Sequence, residues 1–334
     1  MAKENDEVEL LEKNVCHKKS KADYRNDENS NLYDFRSRKI KILLNNVRGF
    51  YSKRESFESI LCRNKIDVAM ITETFTTASR FPQLDGYTTY FRNRTERSAG
   101  GIAIMIRKEL AKFVVKVYSG RLENEYMILK MTNCQPHLVL VIYYGTQTNT
   151  FSSDQVKLHL SELFQAIKKY KDEVCQINLC GDFNLNIGDS ILPNNHPDSN
   201  VNGRLFLDQL QINGLTLMNY MSPDPVTFVD KSKPNHKRVC LDLVVTNKPG
   251  AVSGFVTDSD LNGHEFTPYS VRMRKKDAKR VYADHFAIMY EFETLWQERV
   301  KFKPDSIWNY KRRLGNTKFD IFTSNVMNYL LNKI

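Results

Sequence analysis

Apolar and polar positions change rhythm several times along the chain, and each change predicts an element. Ile40-Lys41-Ile42-Leu43-Leu44 alternates and then runs apolar, as a strand does. From Lys53 to Lys65 the spacing becomes helical, with Phe57, Ile60 and Leu61 on one face, and Asp67 to Thr72 returns to a strand. Gly101 to Ile106, Phe113 to Tyr118, Tyr126 to Met131 and Leu138 to Tyr144 predict a run of four strands. Ser153 to Tyr170 predicts an amphipathic helix whose stripe is Val156, Leu160, Leu163, Phe164 and Ile167. Gln176 to Cys180 predicts a strand and Asn202 to Asn213 a helix. Short strands are expected near Leu215, Val226, Leu241, Val252, Val271 and Phe286.

Strands outnumber helices, yet long helices are interspersed among them. That pattern predicts an α/β fold in which two sheets pack face to face with helices outside. No internal repeat or low-complexity tract interrupts it. No run approaches the roughly 18 apolar residues of a membrane helix, and the N-terminus has no apolar signal core. An intracellular protein with no membrane partner is expected.

Composition sharpens the ends. Residues 1–38 are rich in Lys, Glu, Asp and Asn and poor in apolar residues, which predicts a disordered charged segment. The folded domain is expected over 39–292. After about Phe292 the strand pattern stops, and 293–334 reads as a basic, partly helical tail that opens a longer region. The net charge is +10. Residues 1–38 carry 8 Lys/Arg against 9 Asp/Glu, and residues 293–334 carry 8 against 4, so most of the excess lies between them. A basic folded domain suits a polyanion, although charge alone is equally well accounted for by solubility. The six cysteines form no CxxC pair. Cys62, Cys134, Cys180 and Cys240 sit in or beside apolar runs and read as reduced, core-packed thiols, not as a zinc site.

The chemistry is concentrated where predicted strands end. Asn46 follows Ile42-Leu43-Leu44, Glu73 follows Met70-Ile71-Thr72, and Tyr144 closes the strand from Val139. Gly181-Asp182-Phe183-Asn184 follows Ile177 to Cys180, Asp242 lies within Cys240 to Val245, and Asp284-His285 opens the last apolar strand. Strand ends on one rim can gather groups from distant sequence. Phosphodiester hydrolysis needs a divalent cation, a base or orienter for water, and donors for developing charge. Glu73 with the amide oxygen of Asn46 could hold Mg²⁺, and Asp242 is a candidate to orient His285. Singly, each residue has a plain structural reading: a turn Asn, a cap Glu, a core Tyr, a surface Asp-His pair.

Together they follow a known order. The chain resembles the endonuclease/exonuclease/phosphatase superfamily, and within it the apurinic-type endonuclease domain of non-LTR (LINE-type) retrotransposon polyproteins. The likeness spans about Lys39 to Phe292. It rests on Asn46-Val47-Arg48-Gly49, Ile71-Thr72-Glu73-Thr74, Gly100-Gly101-Ile102-Ala103-Ile104, Gly181-Asp182-Phe183-Asn184, Asn202-Gly203-Arg204, Thr227-Phe228 and Asp284-His285. It implies a four-layer α/β/β/α sandwich of two mainly antiparallel sheets flanked by helices. It also implies one or two Mg²⁺ ions (Mn²⁺ in its place), DNA as partner, no obligate protein partner and a nuclear place of action. Glu73 would bind the metal with Asn46 beside it, assisted by Asp284. Tyr144 would contact the scissile phosphate. Asp182 would activate water or protonate the leaving oxygen, Asn184 would hold the phosphate, and Asp242 would orient His285, which acts on the phosphate or as base. The implied product is a nick with a 3′-hydroxyl that primes reverse transcription.

Three departures from the pattern stand out. Val239 and Ala283 occupy positions where the family often has Ser, and Gly145-Thr146-Gln147 replaces a turn frequent in Pro and Asn. The first two remove hydroxyls that help hold catalytic groups, which bears on rate more than on reaction type. Before Asp284-His285 lies a basic loop with Arg272, Arg274, Lys275, Lys276, Lys279 and Arg280, placed to grip flanking phosphates without reading bases. Arg92, Arg94 and Arg97 form a second basic stretch. Two other readings stay open. One is an abasic-site repair nuclease or a phosphatase of the same superfamily. The other is a catalytically weak DNA-binding remnant of a truncated element.

Overall fold

Alternation along the strands decides how the layers form. In Leu138–Tyr144, the residues Leu138, Leu140, Ile142 and Tyr144 join one buried cluster while Val139, Val141 and Tyr143 join another. Successive side chains of a strand point to opposite faces, so a strand that is apolar throughout must be covered on both. The computed structural model describes residues 33–77, 80–93, 100–120, 124–145, 152–173, 175–187, 201–230, 237–257 and 285–299.

The first sheet contains β1 (Tyr33–Asn46), β2 (Val68–Thr72), β3 (Tyr87–Arg92), β4 (Ile102–Arg107), β7 (Cys134–Gln135), β14 (Val252–Thr257) and β15 (Ile288–Arg299). Its path is β14-β15-β1-β2-β4-β3, with β7 paired to β15. The second sheet contains β5 (Val114–Ser119), β6 (Glu125–Met131), β8 (Leu138–Tyr144), β9 (Gln176–Asp182), β10 (Thr216–Leu217) and β13 (Asp242–Thr246), in the order β10-β13-β9-β8-β6-β5. A small ribbon pairs β11 (Phe228–Asp230) with β12 (Lys237–Val239). Helix α1 (Arg54–Arg63) follows β1, the single turn α2 (Lys108–Ala111) follows β4, α3 (Ser153–Asp172) follows β8 and α4 (Val201–Ile212) follows β9.

The expected sandwich is the observed one. Ile40, Ile42, Leu44, Met70 and Ile104 of the first sheet meet Leu129, Leu140, Ile142 and Val244 of the second in a central core. Outside the first sheet, Leu43, Ala69 and Ile71 pack with Phe57, Ile60 and Leu61 of α1. Outside the second, Val139, Val141 and Leu179 pack with Leu160, Leu163 and Ile167 of α3 and Phe206 and Leu210 of α4. The capping box of Ser152 and Gln155 fixes the start of α3. Among the described residues, most registered strand pairs are antiparallel, and β1 with β2 and β8 with β9 are parallel. Each parallel pair is spanned by a helical crossover, α1 and α3 respectively.

Several sequence expectations are corrected. β1 begins at Tyr33, ahead of Lys39, and β15 continues to Arg299, past Phe292. Ser37 in one extension bonds to Glu293 in the other, and in β15 Thr294 and Trp296 are buried while Glu293 and Leu295 between them are exposed. β3 is Tyr-Thr-Thr-Tyr-Phe-Arg with every residue half-buried, so it lacks the contrast that marks a strand. Cys62 lies on the exposed side of α1, whereas Cys134, Cys175, Cys180 and Cys240 are buried and free. Burial pushes the Cys180 thiol up to about 12, which keeps it a protonated core residue. The strand expected near Val271 lies outside the described residues. Among the described residues, no helix is long and apolar enough to cross a membrane.

Candidate active site

Parallel pairing delivers strand ends to one rim. In the first sheet, Asn46 is in register with Thr72, so Asn46 and Glu73 leave their strands side by side. In the second sheet, Tyr144 is in register with Asp182, and the antiparallel neighbour places Asp242 opposite Asp182. Face-to-face packing then brings the two rims together. All of Asn46, Glu73, Tyr144, Asp182, Asp242 and His285 are buried.

Asp182 is the hub. Its Oδ2 accepts a hydrogen bond from Asn46 Nδ2 at 2.9 Å, joining the two sheets. Its Oδ1 accepts from the backbone N–H of Asn184 at 3.0 Å. Gly181 makes this turn possible: a Cβ there would lie 1.7 Å from the carbonyl oxygen of Tyr143. Asn184 adopts a left-handed φ of 51° and donates through Nδ2 to the Gly145 carbonyl at 2.8 Å. Burial lifts the Asp182 carboxyl to about 7; Asp242 and Glu73 add to the rise, while His285 and the Asn46 bond oppose it.

His285 sits against Asp182 and Asp242. Its Nδ1 lies 2.8 Å from Asp242 Oδ2, and its Nε2 is 3.8 Å from Asp182 Oδ2. The second distance is too long for a direct hydrogen bond. Burial disfavours the charged ring, but Asp242 and then Asp182 outweigh it and raise the imidazolium to about 9. Asp242 Oδ1 has no hydrogen-bond partner among the described residues.

Glu73 stands on left-handed backbone with φ 53°, a conformation that costs a non-glycine residue of order 1–3 kcal/mol. The Tyr144 hydroxyl donates to its Oε1 at 3.0 Å, and Arg48 Nε lies 3.9 Å from its Oε2. Burial, with Glu73 and Asp182 nearby, raises the Tyr144 phenol, so it stays a donor. Donor atoms of Glu73, Asp182 and His285 all lie within 4.8 Å of one another. The two carboxylates supply hard oxygen ligands that fit a divalent cation, while the charged His285 ring beside them has no lone pair to offer one. Asn46, expected beside the metal, spends its amide nitrogen on Asp182, and its Oδ1 accepts from the Arg48 N–H at 3.2 Å.

Two further residues were given no role by the sequence: Thr227, quoted only as part of the Thr227-Phe228 motif, and Glu125, which belongs to no motif. Thr227 Oγ1 accepts from the backbone N–H groups of both Leu241 and Asp242 at 2.9 Å, and its carbonyl accepts from Phe286 N–H at 2.6 Å. It therefore holds both the start of β13 and the segment carrying His285. Glu125, buried opposite Tyr144 in β6, accepts from Gly101 N–H at 2.8 Å. For Glu125 the available signal was a Glu inside an apolar strand pattern, and for Thr227 it was its place in a motif. Arg92 donates to the Asn124 carbonyl at 2.8 Å, a structural engagement. Asp284, Arg94, Arg97 and the loop with Arg272, Arg274, Lys275, Lys276, Lys279 and Arg280 lie outside the described residues.

Comparison with known families decides the lineage: the Endonuclease/Exonuclease/phosphatase family matches residues 44–280, well over half of the chain. The chain belongs to that family. Its members are hydrolases of phosphodiester bonds that generally use a divalent metal. The match takes in Asn46, Glu73, Tyr144, Asp182, Asn184 and Asp242 and stops short of His285, which tertiary packing brings in. No curated protein matches the sequence. Solved structures share the family fold. An AP endonuclease from Archaeoglobus fulgidus is 17% identical, with a TM-score of 0.58 over 76% of this chain and 99% of that one. The 3′ phosphatase NExo from Neisseria, bound to a product DNA hairpin, is 16% identical with a TM-score of 0.58 over 76% and 99%. The endonuclease domain of TRAS1, a telomere-specific non-LTR retrotransposon, is 14% identical with a TM-score of 0.51 over 76% and 98%.

Proposed function

We propose that the protein is a Mg²⁺-dependent DNA endonuclease that nicks target DNA in the manner of a non-LTR retrotransposon endonuclease. The observation that carries this reading is the Asp242–His285–Asp182–Asn46 chain closed on Glu73 at one buried rim. The net charge of +10 and the basic segment 272–280 favour DNA over neutral or lipid substrates.

Glu73 and Asp182 would hold the ion, with His285 adjoining. Bound there, Mg²⁺ (or Mn²⁺) would neutralise charge on the scissile phosphate. Asp182 takes the proton of the attacking water. The new bond forms at phosphorus and the bond to the 3′ oxygen breaks with its electron pair on that oxygen, which takes a proton from solvent water and leaves as a 3′-hydroxyl. His285, kept charged by Asp242, offers Nε2–H to a phosphate oxygen. Tyr144 presents its hydroxyl from the opposite sheet, and Asn184 keeps the Asp182 turn in shape. Asp284 and the basic loop are assigned to the metal rim and to flanking phosphates. The charged segments 1–32 and 300–334 flank the catalytic domain in sequence, with reverse transcription downstream of the nick and the nucleus as the place of action.

Nicking of supercoiled plasmid tests the reading. Wild type converts it to open circle with Mg²⁺, and Asp182→Ala and His285→Ala each abolish conversion. Equal conversion by all three proteins would sink the assignment, and turnover of inositol phosphates in place of DNA would move it to the phosphatases of the family.

A further inference from the structure

Beside the catalytic rim lies an open cleft of about 320 Å³, lined by Gly49, Tyr51, Ser52, Phe75, Thr77 and Arg80 among others. The steps above make no use of it. Its walls are the loops that leave β1 and β2, and backbone bonds tie them to the site. Gly49 N–H donates to the Glu73 carbonyl at 2.8 Å, and Phe50 N–H to that of Thr74 at 2.9 Å.

The cleft is built from costly features. Arg48, Gly49, Glu73 and Phe75 all carry left-handed backbone, with φ of 40°, 98°, 53° and 50°. Three of these are not glycine, and such strain gathers where a ligand is held. Phe75, in the lining of the cleft, is 40% exposed. Gly49 packs close to the Phe75 ring, where a Cβ would stand 3.4 Å away, and its own φ of 98° is one that side chains rarely adopt. On another wall, the Arg80 guanidinium lies 3.8 Å from the centroid of Tyr51. The Tyr51 hydroxyl donates to the Phe81 carbonyl at 2.7 Å, which fixes that ring in place.

We propose that this cleft receives one unpaired nucleobase of the DNA next to the scissile phosphate, stacked on Phe75 and bordered by the Tyr51–Arg80 pair. This rests on the DNA endonuclease reading and names the form of DNA that the site prefers. An aromatic face takes any base, and a guanidinium stacked on a ring supplies both a second platform and a charge for the adjoining phosphate. The volume suits a base, not a helix or folded partner. The two loops also carry Asn46 and Glu73, so a base held here fixes the position of the phosphate beside it.

The test compares duplexes by fluorescence anisotropy, without divalent cation so that no strand is cut. One duplex is fully paired and the other carries a single unpaired nucleotide. Wild type is expected to bind the second about fivefold tighter or more, Phe75→Ala to lose that preference, and Phe75→Trp to keep it. Equal affinity of wild type for both duplexes, or an undiminished preference in Phe75→Ala, would overturn the proposal. Tight binding of free dAMP without any preference between duplexes would assign the cleft to a mononucleotide and also overturn it. Plasmid nicking by wild type reports separately on the enzymatic reading.

Discussion

His285 Nδ1 lies 2.8 Å from Asp242 Oδ2, a contact between residues 43 positions apart in sequence. The carboxylate fixes the ring and favours its charged form, leaving Nε2 directed at Asp182. The pair therefore acts as a unit, and removing either member disables the other.

Asp242→Asn keeps the shape of that contact and removes its charge. Nicking is expected to fall roughly 10²- to 10⁴-fold, the usual worth of positioned proton transfer. The basic limb of the pH–rate profile should also move to lower pH, because His285 loses the nearest group that holds its proton. A rate loss with an unmoved profile would mean that Asp242 serves packing alone.

Thr227 holds the start of β13 through one hydroxyl. Thr227→Val leaves the buried N–H of Asp242 without an acceptor, at a cost of about 1–3 kcal/mol, and also frees the half-buried N–H of Leu241. Denaturant unfolding should show that loss together with slower nicking, and Thr227→Ser should recover both. Recovery of stability without recovery of rate would separate Thr227 from the site.

His285 also sets a pH dependence of stability. Its folded value, about 9, is raised above the ordinary 6.5, so the charged ring favours the folded state. That contribution is fully present below about 6.5 and is lost as pH rises through about 9. In metal-free protein, the Tm advantage of wild type over His285→Ala should shrink between those limits. An advantage that grows with pH in this window would contradict the assignment.

Much of the fold was legible in the hydrophobic pattern. Leu138–Tyr144 could be read as a strand because its run is apolar throughout, and the stripe from Val156 to Ile167 could be read as a helix because its period is helical. β3 was not, because all six of its residues are half-buried and give no contrast, and the first residues of β1 were not, because there Ser37 engages Glu293 of a distant strand.

The candidate site divides the same way. Motif order placed Asn46, Glu73, Tyr144, Asp182, Asn184, Asp242 and His285 at strand ends, since local chain direction alone decides where a strand stops. Which of them touch was decided only by the tertiary structure. Two parallel crossovers set the rims, and the register of Asp242 against Asp182 set the third strand. Thr227 then locked His285 in place. That is why Asn46 bonds to Asp182, why Tyr144 bonds to Glu73, and why the donor atoms of Glu73, Asp182 and His285 fall within one small space. Sequence specifies residue types and strand ends through local periodicity. Distances between strands depend on pairing register and on packing between sheets, which are properties of the whole folded chain.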